Sequence, residues 1–154
     1  MAEELLGKFQ CVVLTPRAKL LDCKTQSITL SAHDGQMGVW QNHMPMLCKL
    51  GLGIMEVRDC ITEDDQMPGH AYFLVDGGFV RISNNVVTVL AYDVMTLTDI
   101  ATVDAEKMRE EAGKLPGDNV LAMQQRKKAA QKAALIMQMA QISASQKKAQ
   151  GGTA

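Results

Sequence analysis

The sequence predicts a β-rich first half, folded as a sandwich or flattened barrel, followed by an antiparallel helical hairpin. Three observations carry this prediction. Runs of strand length rich in β-branched residues recur up to about residue 95, with turn residues between them and no helical period. Beyond that point apolar residues recur at helical spacing. The balance of charge changes along the same division.

The strand candidates are FQCVVLTP, SITLSA, GIMEVRD, AYFLVD, GFVRIS and VVTVLAY. Between them lie DGQMG, PGH, DGG and SNN, which supply glycine and asparagine for turns. Short strands with no helices between them exclude the alternating pattern of parallel-sheet nucleotide folds. The DGG of VDGGFV lies between two strand-like runs rather than before a helix, so it reads as a hairpin turn and not a phosphate loop.

In the second half Ala101, Ala105, Met108, Ala112 and Leu115 recur at steps of four and three, which is one helix face. Thr98 or Asp99 is expected to cap this helix and Pro116-Gly117 to end it, giving a helix over about 99–115. A second helix is expected over about 119–150, with Ala122, Ala129, Ala133, Ile136, Ala140 and Ala144 as a small-residue stripe. The expected domains are therefore a β domain over 1–95 and a helical hairpin over 96–154, with the final GGTA frayed. Large apolar groups are sparse in the hairpin. Burying an alanine gains far less than the ~1.5–3 kcal/mol of a buried leucine, so these helices should open readily or lean on a partner.

The 154 residues carry a net charge of −1, which argues against a general nucleic-acid binder. That balance conceals a gradient. Residues 1–95 hold seven basic and eleven acidic groups, residues 96–118 three and six, and residues 119–154 six basic groups and no acid. The basic groups around Arg126, Lys127, Lys128 and Lys132 read either as a solvated helix face lying on acidic neighbours or as a docking surface for an acidic partner. Large apolar residues are too sparse opposite them for a membrane-surface helix. No apolar run approaches the roughly 20 residues that cross a bilayer, and the start carries no signal-peptide pattern. Cys11, Cys23, Cys48 and Cys60 show no CxxC spacing, so reduced thiols are expected rather than a zinc knuckle or disulfide framework.

The densest cluster of functional residue types is AHDGQMGVWQNHMPM at 32–46. His33, Asp34 and His43, with His70 as a third imidazole, are the candidate metal ligands. Their spacing opposes this: His33 and Asp34 are adjacent and would point to opposite faces of a strand, and no HxH, HxxxH or HExxH pattern occurs. Cys48 near His43 is the one Cys/His proximity, no GxSxG is present, and Glu63-Asp64-Asp65 lacks the remaining spacing of a calcium loop. The stretch reads better as an ordered recognition loop. Gly35 and Gly38 permit its turns, and Pro45 fixes the chain where a strand begins. Met37, Val39 and Met46 are expected to face inward, Trp40 to pack at the sandwich edge, and Asp34, Gln36 and Asn42 to face outward.

CVVLTP, ITLSAHDGQMGVWQNHMPML and FLVDGGFVRISNNVVTVLA, in that order and followed by a two-helix tail, closely resemble the epsilon subunit of F-type ATP synthases, called delta in mitochondria. The resemblance covers nearly the whole chain. It implies a ten-stranded β-sandwich with a helical hairpin, and a non-catalytic rotor part that binds the gamma shaft and the c-ring and couples ring rotation to ATP synthesis. It implies that the helices can extend toward acidic segments of the beta subunits, within the alpha/beta ring, and inhibit hydrolysis. By position, Asp34, Gly35 and Gln36 match the loop that meets the c-ring, and His43 matches a position near gamma. Some members bind ATP through a pattern like I-D-x-x-R-A. Here Ala101 and Asp104 replace its aspartate and arginine, so no bound ATP or other cofactor is expected. The expected location is the cytoplasmic face of a bacterial plasma membrane, attached peripherally, with the thylakoid as the alternative. Two other classes compete with this reading: a metal-dependent sandwich enzyme using His33, His43 and His70, and an unrelated adaptor that uses the basic helix.

Overall fold

The computed structural model describes residues 7–65 and 69–151. The part of the connection at 66–68, and the GGTA end beyond residue 151, lie outside the described residues. Residues up to Val94 and those from Met95 onward form two separate compact units.

The first unit contains strands β1 (Phe9–Leu14), β2 (Lys19–Thr25), β3 (Ser27–Ala32), β4 (Gly35–Val39), β5 (Met46–Cys60), β6 (Gly69–Ser83) and β7 (Val86–Thr96). They make one sheet in the order β2-β1-β7-β6-β5-β3-β4. β1 runs parallel to β7, and the other described pairings are antiparallel. Inward residues alternate as a half-buried sheet requires: Phe9, Cys11 and Val13 on β1, Ile28 and Leu30 on β3, Val87, Val89 and Ala91 on β7. Residues from all seven strands, both edges included, share one apolar core, so the sheet wraps around it.

The described residues hold seven strands where the resemblance implies ten. β5 and β6 each run 15 residues and β7 runs 11. At about 3.3 Å per residue the longer two span roughly 50 Å, far beyond an ordinary strand, so they bend as they pass around the core. The DGG segment, expected as a hairpin turn, lies inside β6 and makes its bend. Gly77 (φ 75°) and Gly78 (φ 123°) adopt backbone angles that glycine tolerates. Inward positions change from odd (Phe73, Val75) to even (Val80, Ile82) across this point. β7 passes so close to Gly78 that a Cβ there would collide with the Leu90 carbonyl and lie 2.8 Å from Ala91 Cα. The expected DGQMG turn is mostly β4, with only His33 and Asp34 left to turn the chain. The SNN turn is present: Asn84 (φ 52°) and Asn85 (φ 59°) form a two-residue hairpin connection with both angles positive.

One corner closes the wrapped sheet. Lys24 pairs with Ile61 through backbone bonds of 2.9 and 2.8 Å, extending the register in which Ser27 faces Arg58. Thr25, fully buried, donates its hydroxyl to the Arg58 carbonyl there. Cys11 faces Cys23 across β1 and β2, and Cys60 lies against Cys23 from the end of β5.

The second unit contains α1 (Leu97–Ile100), α2 (Ala105–Gly113) and α3 (Val120–Gly151). The single helix expected over 99–115 is thus two pieces. The cap of α1 is Thr96, whose hydroxyl accepts from Asp99 N while the Asp99 carboxylate accepts from Thr96 N. The break follows from local competition for the backbone: the Thr102 hydroxyl donates to the Asp99 carbonyl (2.8 Å), and the Asp104 carboxylate restarts the helix by accepting from Lys107 N (3.1 Å). Asn119 caps α3, its side-chain oxygen accepting from Ala122 N at 2.7 Å. α1 and α2 both pack on α3. The buried line on α3 runs through Ala133, Ile136 and Met139, whereas Ala140 and Ala144 of the expected stripe are exposed.

Candidate interaction surfaces

The recognition loop is built in two stages. In the first, β3 and β4 pair as a hairpin with Ser31 facing Gln36 and Ala32 facing Gly35, leaving His33 and Asp34 at the tip. Gly35 has φ 147°, an angle that disfavours a side chain although there is open space for one. Asp34, Gly35 and Gln36 are all exposed. His33 anchors the tip by donating its backbone N–H to the Lys49 carbonyl at 2.9 Å.

In the second stage the chain leaves β4 at Trp40 and enters β5 at Met46. Val39 is fully buried, and Met37 and Met46 are half-buried against the core, as their spacing in the sequence predicts. Trp40 lays its ring over Gly38, where a Cβ would lie 2.6 Å from the ring, yet the indole remains 63% exposed. Asn42 is exposed but not idle. Its N–H donates to Asn85 Oδ1 at 2.7 Å, and Asn85 Nδ2 donates back to Asn42 Oδ1 at 3.2 Å. His43 is half-buried, with Nδ1 2.8 Å from the Met44 carbonyl, while Met44 is 72% exposed.

Beside this loop the outer face of β5, β6 and β7 is unusually apolar. Leu47, Phe79, Leu90 and Tyr92 all point outward and are exposed. Phe79 and Tyr92 meet edge to face with ring centroids 6.4 Å apart. Lys49 faces Phe79 and Leu47 faces Arg81 across the β5–β6 ladder, so cations border the patch. The sequence reading missed this surface because these residues alternate with core residues and look like more core.

The residues that resembled chemistry do not converge. Among the described residues no group of three or more His, Cys, Asp or Glu is placed to hold a metal ion. His33 and His70 are exposed on different strand ends. Cys48 directs its thiol to the Lys49 carbonyl (3.5 Å). The acidic stretch is part of a turn in which Thr62 N donates to the Asp65 carbonyl and Asp65 N to the Thr62 hydroxyl. Two clusters were not foreseen. Glu56 accepts from Tyr72 (3.3 Å) and Arg58 (3.0 Å); burial, with the Glu56 charge beside it, raises the Tyr72 phenol above its ordinary value. The Cys11–Cys23–Cys60 cluster is buried; the hydrogen bond with Cys11 and burial, opposed by the hydrogen bond with Cys60, hold the Cys23 thiol up to about 12, and the hydrogen bond with Cys23 and burial push Cys60 upward as well. Thiols held protonated in this way are poor nucleophiles.

On α3, Arg126, Lys127 and Lys128 are exposed and Lys132 is half-buried. The first turns of the same helix expose Val120, Leu121 and Met123. Basic and apolar groups therefore share one end of α3. Ala101 is the C-cap of α1, and the Asp104 carboxylate occupies the N-terminus of α2.

Comparison with known proteins now bears on these surfaces. Residues 8–96 match the family model described as ATP synthase, Delta/Epsilon chain, beta-sandwich domain. The chloroplastic ATP synthase epsilon chain of Pisum sativum is 35% identical over 99 residues, covering 64% of this chain and 67% of that one. The sodium ion specific ATP synthase epsilon chain of Propionigenium modestum is 31% identical over 107 residues, covering 70% and 71%. In fold, a chain of the Euglena gracilis mitochondrial ATP synthase assembly of OSCP, F1 and c-ring superposes with a TM-score of 0.67 at 21% identity, covering 85% of this chain and 80% of that one. A chain of the central stalk and c-ring of the Tetrahymena thermophila mitochondrial ATP synthase gives 0.59 at 19%, covering 84% and 93%. The matched model takes in more than half of the sequence and nearly all of the β unit, so the chain belongs to the ATP synthase delta/epsilon chain family.

Proposed function

We infer that this chain is the epsilon-type subunit of the central stalk of an F-type ATP synthase, a rotor part that couples c-ring rotation through gamma to ATP synthesis. The single structural observation that carries the reading is the outward apolar face of Leu47, Phe79, Leu90 and Tyr92 beside an ordered loop. A folded unit that leaves aromatic and aliphatic groups together on one cation-bordered face is built to be covered by another protein. Among the described residues His33, His43 and His70 are not gathered with other ligands into a group that could hold a metal ion.

Within this assembly Asp34, Gly35 and Gln36 at the β3–β4 tip are the c-ring contact. Their exposed polar groups suit a wet boundary with polar loops. His43, with Met44 and Leu47 beside it, faces gamma. The helical unit, read as an antiparallel hairpin with a regulatory role, presents Arg126, Lys127, Lys128 and Lys132 to acidic surfaces of the alpha/beta ring and restrains ATP hydrolysis. ATP does not bind this subunit, because the Asp104 carboxylate stands where a phosphate would need a cation. The chain sits peripherally at the membrane, on the cytoplasmic face in a bacterium. No described helix is long and apolar enough to cross one.

The test is reconstitution. Native membranes stripped of this chain should lose coupling between proton flow and ATP synthesis and recover it on adding the full chain back. Unchanged coupling without the chain would overturn the rotor reading. Ending the chain after residue 95 should raise ATPase activity, and an unchanged rate would remove the inhibitory role alone.

A further inference from the structure

We propose that Asn85 is a positioning residue for docking, fixing the Trp40–Pro45 loop in the shape that presents His43 and Met44 to the partner. The proposal rests on the rotor reading for what the partner is, but the device itself is visible in the chain. Among the described residues, the hydrogen bonds that tie residues 40–45 to another part of the molecule both end on the Asn85 side chain. One fixes a backbone group, Asn42 N–H, at 2.7 Å; the other returns from Asn85 Nδ2 to Asn42 Oδ1 at 3.2 Å.

Both residues adopt left-handed backbone angles, Asn42 at φ 62° and Asn85 at φ 59°. Asparagine is the side-chain-bearing residue that best tolerates this region, and it also offers a donor and an acceptor. Each end of the clasp thus needs the same residue type for two reasons at once. Asn85 is itself held. It occupies a two-residue turn between β6 and β7, and its carbonyl accepts from Gln10 N at 3.0 Å at the start of β1. Three segments distant in sequence therefore meet at one residue, and the loop inherits its position from the sheet. The exposed Met44 and Leu47 that follow have few neighbours of their own to fix them.

The variant that isolates this role is Asn85→Gly. Glycine adopts φ 59° freely, so the turn survives while the carboxamide is lost. Asn85→Asp is the conservative partner, keeping the acceptor for Asn42 N–H. In the isolated full chain, Asn85→Gly should leave the thermal midpoint and circular dichroism near those of the parent while amide exchange of residues 41–44 becomes at least about tenfold faster. Affinity for an F1 complex lacking this chain should fall about tenfold, and Asn85→Asp should restore most of both. Unchanged exchange in Asn85→Gly would overturn the clasp. Faster exchange with unchanged affinity would overturn its role in docking. Failure of the parent chain itself to bind that complex would instead count against the rotor reading, and the exchange data would still decide whether Asn85 sets the loop.

Discussion

The two units of this chain are held together by different amounts of the same force. The β unit buries Phe9, Ile28, Leu30, Met55, Val57, Val80 and a dozen further apolar side chains in one core. The helical unit buries Ile100, Ala112, Ala133, Ile136 and Met139, two of them alanines. Apolar burial contributes roughly 25 cal/mol per Å², so the first unit resists opening strongly and the second resists it weakly. What the contrast teaches is a division of labour. A unit built around a deep core loses much when it opens, and a unit with few buried large side chains loses little.

Three substitutions, in descending size of effect, and two measurements on the parent chain would break or sharpen that contrast. Gly78→Val should destabilise the β unit by about 3 kcal/mol or more, because it places a branched side chain both at φ 123° and against the β7 backbone. Chemical denaturation followed by near-UV signal would read this, and a loss below about 1 kcal/mol would show that β7 can move away. Next, Ile136→Ala should cost the helical unit about 2–3 kcal/mol. Amide exchange should then show α3 opening while the β unit keeps its protection; loss of protection in both units together would erase the distinction drawn above. Asp104→Ala should cost about 1 kcal/mol at the start of α2 by removing the cap on Lys107 N, visible as local fraying and not as a change in the β unit.

The last two measurements leave the sequence untouched. The Cys23 thiol rises from 9.0 in the unfolded chain to about 12 in the folded one, so the native state binds the proton more tightly. The associated stability is fully present below pH 9.0 and is lost progressively as pH rises toward about 12. Denaturation midpoints of the β unit should therefore fall across that window, and a flat profile would mean the thiols are not in contact. At neutral pH a thiol reagent should modify the half-buried Cys48 well before Cys11, Cys23 and Cys60.

Local rules were legible in the sequence wherever one residue type answers one backbone need. Asn84 and Asn85 announced their turn, Pro116-Gly117 lies in the connection between α2 and α3, and Met37, Val39 and Met46 took the inward positions their spacing assigned. Legibility failed where a signal had two physical meanings. Gly77 and Gly78 look like a hairpin from sequence, but the same freedom of angle also lets a strand bend without stopping. Thr102 and Asp104 interrupt a face that spacing alone makes continuous, because their side chains compete for backbone groups. Thiols at positions 11, 23 and 60 converge only through the register of β1 with β2 and the closing corner, which no single-sequence pattern encodes. The same holds for the Asn42–Asn85 clasp, whose ends are 43 residues apart.

The corner at which Lys24 meets Ile61 has a mechanical meaning in a rotor. A thin wall bent around a space but left slit along its length twists easily, since its two lips slide past each other. Tying one lip back to the wall at a corner resists that sliding there. Two backbone bonds of 2.9 and 2.8 Å and the buried Thr25 hydroxyl pin the edge strand β2 to the end of β5 and the residue beyond it. The scaffold is thereby better suited to pass on a turning force than to absorb it.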